Sequence, residues 1–283
     1  MTETANPEQF EAWNGESGQR WVASADRRDA VLAPIGDLLL DHANIQPGEA
    51  VLDIGCGCGA TTIAAATIGR AGTIVGLDLS APMLDVARRR AADAGLRLRF
   101  LHGDAQTHRL GASFDVAISR FGTMFFANPD AAFANIARHL RPGGRLCIAT
   151  WQPLAANEWL VVPGAALLDD GTMPDTASSG APMFSQSDPD AVHALLAGAG
   201  LEQIDCAPHT LSLCFGPTVD DAVSYLADTG PGRAVLETIP EDQRDAALAA
   251  VRRVLTDHHT AERGVCLDAA VWITTATATE TRP

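Results

Sequence analysis

Three aspartates stand where apolar runs end. Asp53 follows Val51-Leu52, Asp78 closes Thr73-Ile74-Val75-Gly76-Leu77, and Asp104 follows Leu96–His102 through Gly103. A carboxylate at the end of a buried strand needs donors or a cationic ligand, because burying it unpaired costs several kcal/mol, roughly. The first acid leads into Gly55, Gly57 and Gly59, spaced two apart, and then into the small residues Ala60–Ala66. That pattern reads as a strand, a tight glycine turn and a helix N-terminus. Three acids at successive strand ends are much harder to attribute to ordinary turns than any one of them alone. The loop also fits a dinucleotide fingerprint, G-x-G-x-x-A over Gly55, Gly57 and Ala60, with Asp78 as the ribose acid. On that reading the chain is a nicotinamide-dependent oxidoreductase. Asp53 and Asp104 are foreign to it.

The stretch Asp53-Ile-Gly55-Cys-Gly57-Cys-Gly59 resembles the D-x-G-x-G-x-G motif of class I S-adenosylmethionine-dependent methyltransferases. Asp78-Leu79-Ser80-x-x-Met83-Leu84 is similar to the second motif of that family, and Leu140-Arg-Pro-Gly-Gly-x-Leu146 to a turn frequent in it. The resemblance is specific over 47–151. The tryptophan cluster near the N-terminus and Arg120-Phe121-Gly122 look like a bacterial ubiquinone/menaquinone-biosynthesis-like (methyltransferase type 11) group. It implies S-adenosyl-L-methionine as cofactor, with S-adenosyl-L-homocysteine as product. The cofactor positions carried over are Asp53, Gly55, Cys56, Gly57, Gly59, Asp78, Leu79, Met83, Gly103, Asp104, Ala105, Ser119 and Phe121. Trp13 and Trp21 join them as rings facing the sulfonium, a cation–π contact of roughly 0.5–2 kcal/mol. Arg120, Phe121, Met124, Phe125 and Trp151 are the acceptor candidates. A non-catalytic S-adenosylmethionine-binding module is the remaining alternative. His102, His108, His139, His258 and His259 could serve as bases by chemistry, and none is nominated.

The elements that must position these residues follow from periodicity. The fold class is α/β: a Rossmann-like, mostly parallel seven-stranded sheet in the order 3-2-1-4-5-7-6, its last strand antiparallel. Two N-terminal helices are expected over 7–43, broken near Gly15 and Gly18, as a lid. The core takes 46–216 and 263–283, and residues 152–187 and 217–262 are cap insertions, the second helical and lying between strands six and seven.

The net charge of −15 argues against nucleic acid, since phosphate binding needs clustered cations. There is no lysine, and the one tight cluster, Arg88-Arg89-Arg90, reads as a solvated helix face. No apolar run reaches the roughly 18 residues of a membrane span. Met1–Gln9 is polar and acidic, unlike a secretory signal. The six cysteines read as free thiols of a reduced cytoplasm, with no metal site. The expected partner is a small-molecule acceptor, and the expected state a monomer or homodimer. Six of the fifteen aromatic residues fall at 13, 21, 121, 125, 126 and 151, a wall suited to a flat or apolar molecule.

Overall fold

The computed structural model describes residues 5–68, 72–168 and 182–279. Its central strand, β1 (Val51–Ile54), is buried along its whole length, as a parallel strand covered on both faces must be. It pairs in parallel with β2 (Ile74–Asp78) on one side and β4 (Phe114–Arg120) on the other. β3 (Arg99–His102) extends the sheet beyond β2, and β5 (Leu140–Trp151) beyond β4, both parallel. The full order is β3-β2-β1-β4-β5-β8-β6, with β6 at Leu201–Gly216 and β8 at Gly264–Ala278. A two-residue strand, β7 (His259–Thr260), pairs antiparallel with β8 and shifts the numbering of the last long strand by one. The mostly parallel Rossmann-like order expected from the sequence is the one observed.

The chain divides into two compact units. The first comprises Met1–Trp151, Ser185–Pro208 and Trp272–Pro283. Its apolar centre collects Leu52, Ile54, Leu77, Phe114, Phe133, Leu146 and Ile148, each almost wholly buried. The helices α4 (Ala60–Ile68), α5 (Ala81–Asp93) and α6 (Pro129–His139) follow β1, β2 and β4. Two start on side-chain caps: Ser80 accepts from Met83 N–H and Asn128 from Ala131 N–H, each with proline in the first turn. α8 (Pro189–Gly198) starts likewise on Asp188.

The N-terminal segment holds three helices where two were expected: α1 (Pro7–Asn14), α2 (Glu16–Ala23) and α3 (Ala25–Ala43). Gly15 ends α1, but Gly18 sits inside α2, where a Cβ would run into the Trp13 carbonyl 1.9 Å away. Arg90 departs from the solvated reading of its cluster. Its guanidinium bonds Asp29 (2.7 Å), Asp26 and the Cys58 carbonyl (3.2 Å), tying α5 to α3 and to the glycine loop.

The second unit comprises Gln152–Phe184 and His209–Val271. It contains α7 (Glu158–Leu167), α9 (Val219–Asp228), α10 (Gly230–Thr238) and α11 (Glu241–Thr256). α7 lies in the segment that sequence reading left without an element, and part of that segment, 169–181, falls outside the described residues. α10 lies within the insertion expected to be helical, although it opens on Gly230-Pro231-Gly232. Thr229 caps it, accepting from Gly232 N–H at 3.2 Å. Cys214 and Cys266 are joined in a disulfide, so the expectation of six free thiols is corrected. Strands β6 and β8 bring together two residues separated by 52 positions, a proximity that spacing alone does not disclose. Among the described residues no helix is long and apolar enough to cross a membrane.

Candidate active site

The glycine turn after β1 lines a cleft, the concave kind of surface that small-molecule sites use. Gly55 shows why glycine is required: its φ is +66°, and a Cβ would lie 2.7 Å from the Cα of Gly122. Gly57, at φ +54°, turns its N–H onto Asp78 Oδ2 at 2.7 Å. The other oxygen of Asp78 accepts from Ser80 N–H at 2.7 Å. This aspartate is therefore locked between the first and second loops of the sheet edge. Burial raises its pKa against the pull of those two amides.

Asp53 is 1% exposed, and among the described residues its carboxylate accepts from the Thr62 hydroxyl, at Oδ2 and 2.6 Å. Desolvation pushes its pKa up to about 7, and the Thr62 bond and the Arg120 charge only partly oppose the rise. A cationic ligand group would complete its environment. Asp104 accepts from Gln106, from the backbone N–H at 2.9 Å and from the side-chain amide on both oxygens. Asp53, Asp78 and Asp104 all line the cleft, as do Gly55, Cys56, Gly57, Leu79, Met83, Gly103, Ala105, Trp13 and Trp21. Burial raises the Cys56 thiol well above its ordinary range and the Cys58 thiol to about 12, so both behave as small apolar groups.

The acceptor candidates divide. Arg120, Phe121 and Phe125 line the cleft, with Phe126 beside them. Met124 and Trp151, at 2% and 5% exposed, do not. Trp151 stacks behind Phe121, ring centroids 4.2 Å apart, and so supports the wall without forming it. Phe121 is left-handed at φ +68°. A bulky residue in that region is a backbone outlier costing of order 1–3 kcal/mol, held only where the surroundings over-determine it. Here the stack on Trp151 and a bond from Phe121 N–H to the Ala149 carbonyl (3.0 Å) do so.

Two cofactor candidates lie off the cleft. Ser119 is fully buried, its hydroxyl donating to the Ile54 carbonyl (2.7 Å) and accepting from Gly122 N–H (3.2 Å). It holds the acceptor loop against the glycine turn. Gly59 packs on Ala87, where a Cβ would come within 2.9 Å. Arg120 is not a free cation for an anionic acceptor: it is paired with Asp29 at 2.8 Å and bonded to the Leu32 carbonyl on α3. Arg20 pairs with Glu16 and lies off the cleft. None of the five histidines considered lines it. His102 bonds the Leu79 carbonyl, His139 accepts from Leu110 N–H, His108 packs on Gly103, and His258 and His259 belong to the second unit.

Sequence reasoning missed the part of the lining that comes from far along the chain: Asn6 and Gln9 of the first helix region, and Asp29 and Leu32 of α3. Trp13 meets Trp21 and Phe125 edge-on, at 5.7 and 5.4 Å between centroids, and all three rings line the cleft. Trp13 and Trp21 lie on α1 and α2, in the stretch where the sequence leads one to expect a helical lid.

A glycine-turned β1, an acid on each of three successive strand ends and a doubly wound sheet define a nucleoside-binding α/β enzyme of the methyltransferase type. The comparisons carry the assignment further. A family model described as a methyltransferase domain matches residues 51–144. Nocamycin O-methyltransferase of Saccharothrix syringae is 31% identical over 239 residues, spanning 80% of this chain and 84% of that protein. Aklanonic acid methyltransferase of Streptomyces strain C5 is 36% identical over 120 residues, 41% of this chain and 54% of that protein. Several other curated relatives align over less than half of their own length. Among solved structures, a phosphoethanolamine N-methyltransferase of Haemonchus contortus bound to S-adenosyl-L-methionine superposes with a TM-score of 0.53. It is 17% identical and covers 87% of this chain and 52% of that one. The chain belongs to the class I S-adenosylmethionine-dependent methyltransferases, and S-adenosyl-L-methionine is its cofactor.

Proposed function

We propose that this enzyme methylates a small, neutral, apolar or aromatic molecule at an oxygen, in the cleft beside Phe121, Phe125 and Phe126. The observation that carries the reading is the strained Phe121, stacked on Trp151 and facing the cleft that holds Asp53 and Asp78. The cofactor brings a methyl group already activated on a sulfonium, and the protein's part is alignment and exclusion of water. Asp78 would take the ribose diol, Asp104 the adenine amine, and Asp53 the ammonium of the amino-acid tail. The rings of Trp13, Trp21 and Phe125, which line the cleft, would keep water from the reacting centre. Among the described residues the one cationic lining residue, Arg120, is already paired with Asp29, which disfavours an acceptor with several acidic groups. Oxygen as the nucleophile is supported by the likeness to a protein named as an O-methyltransferase.

The cap reading of residues 152–187 and 217–262 belongs to the same proposal. So does a monomeric or homodimeric state. The test is product formation from methyl-labelled donor against phenols, quinones, keto acids and amines. Label should move into a phenolic or enolic acceptor. Turnover confined to amines would overturn the oxygen assignment.

A further inference from the structure

α1 is a helix of eight residues with no buried side chain. Isolated helices shorter than about 12–15 residues are marginal in water, so contacts outside the helix must hold it. Besides the ring contacts of Phe10 and Trp13, one polar side chain at its C-terminal end supplies them. Asn14 Nδ2 donates to the Leu79 carbonyl and to the Phe10 carbonyl, both at 2.9 Å. Its Oδ1 accepts from Ala81 N–H, also at 2.9 Å. One amide thus uses both its donors and its acceptor, and brackets Ser80 from either side. Ser80 completes the attachment, its hydroxyl donating to the Trp13 carbonyl at 2.6 Å.

The bracketed loop is the one that orients Asp78. Ser80 N–H donates to Asp78 Oδ1, and Asp78 Oδ2 accepts from Gly57 N–H. Asn14 is not itself among the lining residues, whereas Trp13, Leu79 and Asp78 are. A side chain that touches no cleft space but holds both edges of the loop can act on the cofactor only through that loop.

We infer that Asn14 is a positioning residue for cofactor binding: it fixes the Leu79–Ala81 loop, and hence the Asp78 carboxylate. The inference rests on the proposed ribose role of Asp78. No shorter or singly polar side chain reproduces it. Alanine removes all three bonds, and aspartate keeps the acceptor for Ala81 but turns two donors into repulsive contacts with carbonyls.

Calorimetric titration with S-adenosylmethionine and S-adenosylhomocysteine tests this on the full chain. Asn14→Ala should weaken both by about tenfold, with the melting temperature of the ligand-free protein little changed. Phe10→Ala is the control, because it removes another outside contact of α1, the ring against His102, at a residue that does not line the cleft. It should change affinity by less than about threefold. Asp78→Asn alone should weaken binding by at least about tenfold, and the double variant Asp78→Asn/Asn14→Ala should bind no worse than Asp78→Asn. Unchanged affinity in Asp78→Asn would refute the ribose reading. Weakening there with none in Asn14→Ala would refute the Asn14 role alone. Additive losses in the double variant, or equal losses in Phe10→Ala and Asn14→Ala, would also overturn it, since Asn14 would then act apart from Asp78 or merely hold the helix. If Asn14→Ala melts early, Asn14→Ser replaces it in the same cycle.

Discussion

Asp53→Asn should stabilise the ligand-free enzyme above neutral pH while weakening its cofactor affinity. Asp53 is 1% exposed with one hydroxyl partner, and its pKa stands at about 7 against an ordinary 3.8. The folded-state value is raised, so the folded protein favours the neutral carboxyl. Below pH 3.8 the group is neutral in both states and contributes nothing. Between pH 4 and 7 the unfolded chain ionises first, and stability is lost as pH rises; above 7 the penalty is complete. A shift of about three units is worth about 4 kcal/mol at most. Asparagine keeps an oxygen for the Thr62 hydroxyl, but its amide needs a new acceptor, at a cost of about 1–3 kcal/mol. The net gain expected at about pH 8 is therefore about 1–3 kcal/mol, vanishing or reversing near pH 5. Urea denaturation of the ligand-free protein across this range measures it. Losing the charge should weaken S-adenosylmethionine binding by about 10–100-fold, and the wild-type affinity should rise with pH up to about 7 while the variant's stays flat. A variant whose stability difference does not change with pH, and whose affinity matches wild type, would refute the reasoning.

Asp78→Ala should weaken the cofactor at least about tenfold in calorimetry, since two charge-assisted hydrogen bonds at roughly 1.5–3 kcal/mol each are lost before compensation. Phe121→Ala should cut turnover far more than cofactor affinity, and Phe121→Gly should be the more stable of the two, because glycine adopts φ +68° without strain; denaturation and initial rates on the acceptor check both. Trp151→Ala should mimic Phe121→Ala more weakly, because the stack that holds Phe121 is removed. Cys214→Ser/Cys266→Ser opens a closure spanning 52 positions, and should lower stability by up to about 4 kcal/mol, with faster hydrogen exchange in 217–262 than in 51–144.

What the sequence disclosed was local. β1, the glycine turn and the acids at 53, 78 and 104 each announce themselves within a few residues, because apolar runs, positive-φ glycines and strand-end carboxylates are short-range signals. The side of the wall on which a ring falls is not such a signal. Phe121 faces the cleft and Trp151 stands behind it because β4 and β5 set their stack in three dimensions. Ser119 looked like a site residue by position, yet the strand's alternation turns its hydroxyl inward to Ile54. Asn14 sat visibly in the tryptophan cluster, but its partners at Leu79 and Ala81 lie 65 and 67 positions away. The Cys214–Cys266 bond and the pairing of Arg90 with α3 were hidden for the same reason.

The central claim is that the cleft lined by Asp53, Asp78 and Asp104 holds S-adenosylmethionine while a small apolar acceptor lies against Phe121 and Phe125. Incubation with methyl-labelled S-adenosylmethionine and a mixed panel of phenolic, quinone, keto-acid and amine compounds, read by mass spectrometry of the small molecules, tests it directly. The account predicts that label enters an apolar or aromatic compound at an oxygen, and that Phe121→Ala suppresses the transfer while still binding the cofactor. Label that enters only highly charged compounds or only protein, or a Phe121→Ala variant that transfers at the wild-type rate, would contradict it.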